Sequence, residues 1–214
     1  MELSHSLVSS VAAALEGNRH LKHLQLSDCG IDGDGWKAIA SALPENSTLQ
    51  HLDLSQCNTL DDDGCFAIGS FMEGNTALKT LQLQNDESSQ VTSRGVTSLM
   101  RMLEKNTTLE CLELSFTASD DVGFKSVADA LVRNKSLKRL YLENHAKAVS
   151  TKGVVAIGKA LESENAGLEN IALIFDGADS DGVLALAKAV EKSSTLKHFT
   201  FNRAEYRSYK PYTN

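Results

Sequence analysis

Leucines recur along this chain in the pattern LxxLxL at seven places. The segments are LKHLQL from Leu21, LQHLDL from Leu49, LKTLQL from Leu78, LECLEL from Leu109, LKRLYL from Leu137, LENIAL from Leu168 and LKHFTF from Leu196. Apolar and polar residues alternate through each, which predicts a short strand with one face buried. Successive segments start 28, 29, 31, 28, 31 and 28 residues apart. A glycine follows each of the first six, at Gly35, Gly64, Gly95, Gly123, Gly153 and Gly182. The step from that glycine to the next leading leucine is 14 or 15 residues, whereas the step into the glycine varies from 14 to 17. Insertions therefore collect between strand and helix. After each glycine comes a string such as WKAIASAL or FKSVADAL, apolar at its first, fourth, seventh and eighth positions. That spacing predicts a helix with one buried stripe. The fifth position is small at Ala40, Gly69, Ala128, Gly158 and Ala187, and large only at Met100, which predicts close approach of helix to strand layer.

Cap signals agree with this register. Three residues before the glycines stand Asp32, Asp61, Thr92, Asp120, Ser150 and Asp179, all types that accept hydrogen bonds from the free amides of a helix start. The helices run into Asn46, Asn75, Asn106, Asn134 and Asn165, read as helix-ending residues that tolerate a left-handed backbone. Extending the pattern backwards places Ser4 and Asn18 at the two ends of a first helix that has no strand before it.

A unit of LxxLxL, a Cys or Asn, an apolar residue and a glycine-containing helix ending in ALxxN resembles the leucine-rich repeat of the ribonuclease-inhibitor-like class. The likeness covers residues 4–202. It implies an α/β solenoid, a horseshoe segment of about seven repeats, with parallel strands on the concave side and helices on the convex side. The expected organisation is one repeat domain over 1–202 and an aromatic, basic tail over 203–214, with no room for a second domain.

Composition narrows the function classes. Twenty-one basic against 28 acidic residues leave a formal charge of −7, so no basic stripe is available for nucleic acid. No apolar run approaches the roughly 20 residues of a membrane helix, and the opening MELSHSLVSSVAAALEGN lacks a basic leader segment. A cytoplasmic protein is expected. Cys29, Cys57, Cys65 and Cys111 show no metal-ligand spacing and read as free thiols, with Cys29 and Cys57 at equivalent repeat positions.

The remaining motifs have structural readings. DGDG, DDDG and DSDG invite calcium, but the acidic first ligand and the bidentate glutamate of a calcium loop are missing, so capping explains them. NST, NTT and NKS at Asn46, Asn106 and Asn134 match glycosylation acceptors, yet fall at the helix-ending asparagine. Phosphate-loop, zinc-protease and serine-nucleophile signatures do not occur. No cofactor is expected. His23, His51 and Asp53 lie on adjacent strands and could offer zinc three ligands, but no fourth is readable and a solvent-exposed pair is the simpler account. Trp36 reads as core, and Phe116 and Phe175 as plugs for aliphatic residues missing at Ser119 and Ala178.

Strand alternation turns a polar row toward the concave surface: His51, Asp53, Gln82, Glu113, Arg139, Tyr141 and Glu143 are the candidate partner-binding residues. Arg139 and Tyr141 have the chemistry of interface anchors. The acidic connections (Asp61 to Asp63, Asp86 and Glu87, Asp120 and Asp121, Asp176 to Asp181) point to a basic partner surface. The expected role is a non-enzymatic scaffold that binds another protein. Two alternatives come from resemblance alone. One is a GTPase activator like the Ran GTPase-activating protein, with Arg139 at the transition state. The other is an actin-capping repeat domain similar to that of tropomodulin. In the tail, Tyr206 and Tyr209 are expected to cover the apolar edge at Phe199 and Phe201, with an extended binding arm as the rival reading.

Overall fold

The computed structural model describes residues 5–31, 33–57, 59–85, 90–116, 120–144, 149–163, 167–175 and 178–202. Helices and strands alternate without exception among these residues. The order is α1 (His5–Gly17), β1 (His23–Gln25), α2 (Gly33–Ala42), β2 (His51–Asp53), α3 (Asp62–Met72), β3 (Thr80–Leu83) and α4 (Ser93–Lys105). Then come β4 (Cys111–Phe116), α5 (Asp121–Arg133), β5 (Arg139–Asn144), α6 (Thr151–Glu162), β6 (Asn170–Phe175), α7 (Ser180–Lys192) and β7 (His198–Asn202). The strands form one parallel sheet in chain order. Leu24 pairs with Leu52, Leu52 with Leu81, Leu81 with Leu112, Leu112 with Leu140, and Leu140 with Ile171. Strands stack at about 4.8 Å, whereas packed helices need about 8–10 Å. Equal numbers of each therefore bend the chain, with the sheet on the inside.

The helix-facing side of the sheet is the core. Leu52, Leu54, Leu81, Leu83, Leu112 and Leu114 are fully buried, as are Trp36 and Phe116. Phe116, Phe124, Phe175 and Phe201 make a run of edge-to-face rings, with centroids 6.1, 5.0 and 5.4 Å apart. Leu60, Val91 and Val149 enter the same layer from the connections.

Five of the six helix caps are described, and all five act as the sequence predicts. Asp61, Thr92, Asp120, Ser150 and Asp179 each accept from an amide two or three residues on. Asp32 and Ser4 lie outside the described residues. A second capping layer crosses between repeats. Asp62 accepts from the backbone amides of Thr92 and Gly95 and from the Thr92 hydroxyl, at 2.8, 2.9 and 2.6 Å. Asp121 does the same for Ser150 and Gly153. A Cβ at Gly95 would stand 2.5 Å from the Asp62 carboxylate, and one at Gly153 2.8 Å from that of Asp121. At these two sites the recurring glycine is what admits the neighbouring repeat's carboxylate.

Two expectations need correction. The asparagines do not end their helices in a left-handed backbone: Asn106 has φ −70° and Asn134 φ −73°. Their side chains are buried instead and form a ladder. Asn106 donates Nδ2 to the carbonyls of Met72 and Asn75, and its Oδ1 accepts from the amides of Thr108 and Leu109, at 2.8 to 3.0 Å. Asn46, Asn75 and Asn134 repeat the arrangement, so each buried turn is satisfied by its own repeat and the one before. Asn165 lies outside the described residues. The small fifth position does not serve the strand layer either. A Cβ at Gly69 or Gly158 would meet the backbone of the next helix, at Ser98 or Ala185, at 3.0 to 3.3 Å. Small side chains there set the spacing between helices.

The two ends differ. Val8, Ala12 and Leu15 of α1 are buried against the first repeat. At the other end Val183 is 43% exposed, although the equivalent Trp36, Cys65, Val96, Phe124 and Val154 are fully buried, and Val190 is 40% exposed, although the equivalent Leu43, Met72, Leu103, Leu131 and Leu161 are buried. Phe199 and Phe201 are half-buried. The tail, with Tyr206 and Tyr209, lies outside the described residues.

Candidate protein-binding face

The concave face divides into an open part and a closed part. On β1 to β3, His23 and Gln25 are exposed, and His51, Asp53, Thr80 and Gln82 are half-buried. The rings of His23 and His51 stack with centroids 4.2 Å apart and planes within 2°. Parallel imidazoles direct their in-plane nitrogens side by side rather than toward a shared point, so the pair is poorly arranged to chelate. Burial, and then the neighbouring His23, lower the His51 pKa. Asp53 accepts from the Gln25 side chain at 3.0 Å and the Ser55 amide at 2.9 Å. Among the described residues no three His, Cys, Asp or Glu side chains are grouped to hold a metal ion.

On β4 to β6 the second row, Glu113, Tyr141 and Ala172, is closed. Glu113 is 6% exposed and Tyr141 8%, so neither is the freely presented side chain that strand alternation suggested. Tyr141 packs with Ala172 and Ile174 in a small apolar cluster separate from the main core. Its hydroxyl donates to Glu143 at 2.9 Å. Glu113 accepts from Gln82 at 3.0 Å. Burial raises the Glu113 pKa against the lowering effect of that bond. Burial and the nearby Glu113 push the Cys111 thiol up to about 11. Arg139, at the start of β5, is exposed. The structure thus brings all seven candidate residues onto one surface, with Arg139 open, His51, Asp53, Gln82 and Glu143 half-buried, and Glu113 and Tyr141 closed.

Sequence reasoning passed over Ala172 and Ile174. The signal was available, because β6 alone carries two apolar residues at successive outward positions, the fifth of LxxLxL and the residue just after it. The acidic connections are also less free than their composition suggests, since Asp62 and Asp121 are used in capping. Asp86, Glu87 and Asp176 lie outside the described residues. On the convex side, Phe66 and Val122 are exposed and line one groove across α3, α4 and α5.

A leucine-rich-repeat family profile matches residues 17–40 and 45–69. The human NACHT, LRR and PYD domains-containing protein 5 is 29% identical over 192 residues, which is 89% of this chain. The chain is built of leucine-rich repeats. It spans about 15% of that human relative's length. Among solved structures, the leucine-rich-repeat chain resembles the actin-binding site 2 region of leiomodin-1, at TM-score 0.54 and 16% identity over 86% of this chain and 87% of that one. It also resembles the Caenorhabditis elegans tropomodulin C-terminal domain, at TM-score 0.54 and 14% identity over 86% and 92%. At these identities the likeness is one of fold. No described helix is long and apolar enough to cross a membrane.

Proposed function

We propose that this leucine-rich-repeat chain is a non-enzymatic recognition module that binds another protein through its concave face. His51, Asp53, Gln82 and Arg139 are its accessible contacts, and Glu113, Tyr141 and Glu143 form the floor beside them. The observation that carries this reading is the open polar row on β1 to β3, held on a parallel sheet whose opposite side is buried from β2 to β6. A formal charge of −7 favours a partner with a basic surface. The 28 to 31 residue units and the full convex helices favour the ribonuclease-inhibitor-like class.

A photo-crosslinking residue at Gln82, compared with one at Phe66, tests the face. One protein captured from Gln82 and not from Phe66, and lost with Arg139→Glu, supports the reading. Capture from Phe66 alone sinks it. The fold shared with the actin-binding site 2 region of leiomodin-1 makes actin a defined first ligand to test. Co-sedimentation that Arg139→Glu abolishes would establish that narrower role. A GTPase activator would instead need Arg139 to speed GTP hydrolysis, which a turnover assay with purified small GTPases reads directly.

A further inference from the structure

On the outer surface of the helices α5 departs twice from the charge pattern of the other repeats. One residue before the recurring glycine stand Asp34, Asp63, Arg94, Lys152 and Asp181, but α5 has Val122. Nine residues after it α3, α4, α6 and α7 lead into Glu73, Glu104, Glu162 and Glu191, but α5 has Val132. Glu73, Glu104 and Glu162 each pair with a basic residue of the next repeat, Lys105, Arg133 and Lys192. Between α5 and α6 the two places hold Val132 and Ser163 instead. Val122 is 63% and Val132 39% exposed. The other repeats tolerate charge at both places, so the fold does not call for valine there.

Both valines line a groove between α5 and α6 of about 540 Å³, inside the roughly 300–1,000 Å³ range of binding clefts. Its floor is alanine: Ala128 and Ala160 are buried and Ala156 is half-buried. At the place of Ala160, α3 and α4 carry the larger Phe71 and Met102. Both carboxylates of the groove are engaged. Asp121 accepts from Ser150 and Gly153, and Asp129 pairs with Lys125 at 2.7 Å. Lys152 and Lys159, exposed on the α6 wall, have no ion pair or side-chain hydrogen bond among the described residues. In a chain of formal charge −7, an apolar trough edged by two unpaired cations is a local exception.

We propose that this groove docks an acidic amphipathic helix of a partner protein. The apolar stripe of that helix lies on Val122, Val132 and the alanine floor, and its carboxylates meet Lys152 and Lys159. The two lysines are one heptad apart on α6, about 10.5 Å along the axis. A second helix lying along the groove repeats its own side chains at that spacing. Val122 and Val132 bracket about 15 Å, close to three helical turns. A membrane surface is a poorer match, because lipid-binding patches gather about four to eight cations, whereas two lysines here share the groove with Asp121 and Asp129. The site is on the convex side and does not depend on the concave-face reading.

Fluorescence anisotropy with two labelled peptides and the full chain tests this. Both peptides are amphipathic helices of about three heptads with leucine at a and d; one carries glutamate at e and g, the other lysine. The glutamate peptide should bind, and the lysine peptide should bind about tenfold more weakly or worse. Lys152→Glu combined with Lys159→Glu should weaken the glutamate peptide by about tenfold or more. Val132→Glu, which restores the residue that the other repeats carry, should do the same. These positions are exposed, so Tm should not move, and Arg139→Glu on the concave face should leave the affinity unchanged. No binding of the glutamate peptide overturns the proposal, as does equal affinity for the two peptides or binding that survives the convex variants. Loss with Arg139→Glu alone overturns it too, by placing the peptide on the concave face. Sedimentation with phosphatidylcholine and phosphatidylserine vesicles that Lys152→Glu and Lys159→Glu abolish, without peptide binding, would make the groove a membrane contact instead.

Discussion

The two faces of the sheet follow different rules. Toward the helices β2 to β5 offer the same thing: leucine in register with leucine, a buried asparagine at the turn before it, and an aliphatic or aromatic plug after it. Toward the concave side no two strands agree, and exposure runs from open at His23 to closed at Ala172. The repeated face is where stability is concentrated, because each unit is buried by copies of itself. The variable face is left to recognition. Surface ion pairs such as Lys105–Glu73 and Lys138–Glu110 link neighbouring repeats but are mostly exposed and add little.

Substitutions can break that division. Phe116→Ala, on the helix-facing side, should cost about 3–5 kcal/mol as a buried aromatic truncation. A denaturant titration measures it, and a near-wild-type midpoint with lost binding would move Phe116 to the recognition side. Asn106→Ala should come next, at about 2–4 kcal/mol, because it strands buried amides and carbonyls of two repeats. A loss below 1 kcal/mol would show that water replaces the ladder.

Asp120→Ala removes a cap that accepts from Val122 and also from the Ser93 hydroxyl. It should cost about 1 kcal/mol, with no calcium-dependent change in Tm in either form. The Ser93 bond lowers the Asp120 pKa, burial opposes it, and the Val122 and Gly123 amides add to the lowering. This contribution is therefore present above the ordinary value and is lost as pH falls through the lowered one. The smallest effect is expected on the concave side. Glu113→Gln should leave the unfolding free energy at pH 7 unchanged or slightly raised, by under about 1 kcal/mol. Burial raises the Glu113 pKa, so the folded chain binds more protons than the unfolded chain above the ordinary value of 4.5. Stability should fall as pH rises through that window in the wild type, and Gln should flatten the fall. A Glu113→Gln loss as large as that of Asn106→Ala would erase the distinction between the faces.

The sequence by itself determined the repeat, the parallel order of strands, the helix-facing core and the capping residues. These rest on periodicity and on contacts within a few residues, which one unit encodes in full. Only the tertiary structure decided what neighbours do to one another. The carboxylates of Asp62 and Asp121 look like ordinary first-turn acids until stacking brings them to the next repeat's glycine. The asparagines look like helix stops until the preceding turn's carbonyls arrive at their amides. Tyr141 looks like an open anchor until curvature and the apolar residues of β6 close around it. Such contacts join residues about one repeat apart, so strand periodicity shows which way a side chain points, and stacking alone decides what it meets.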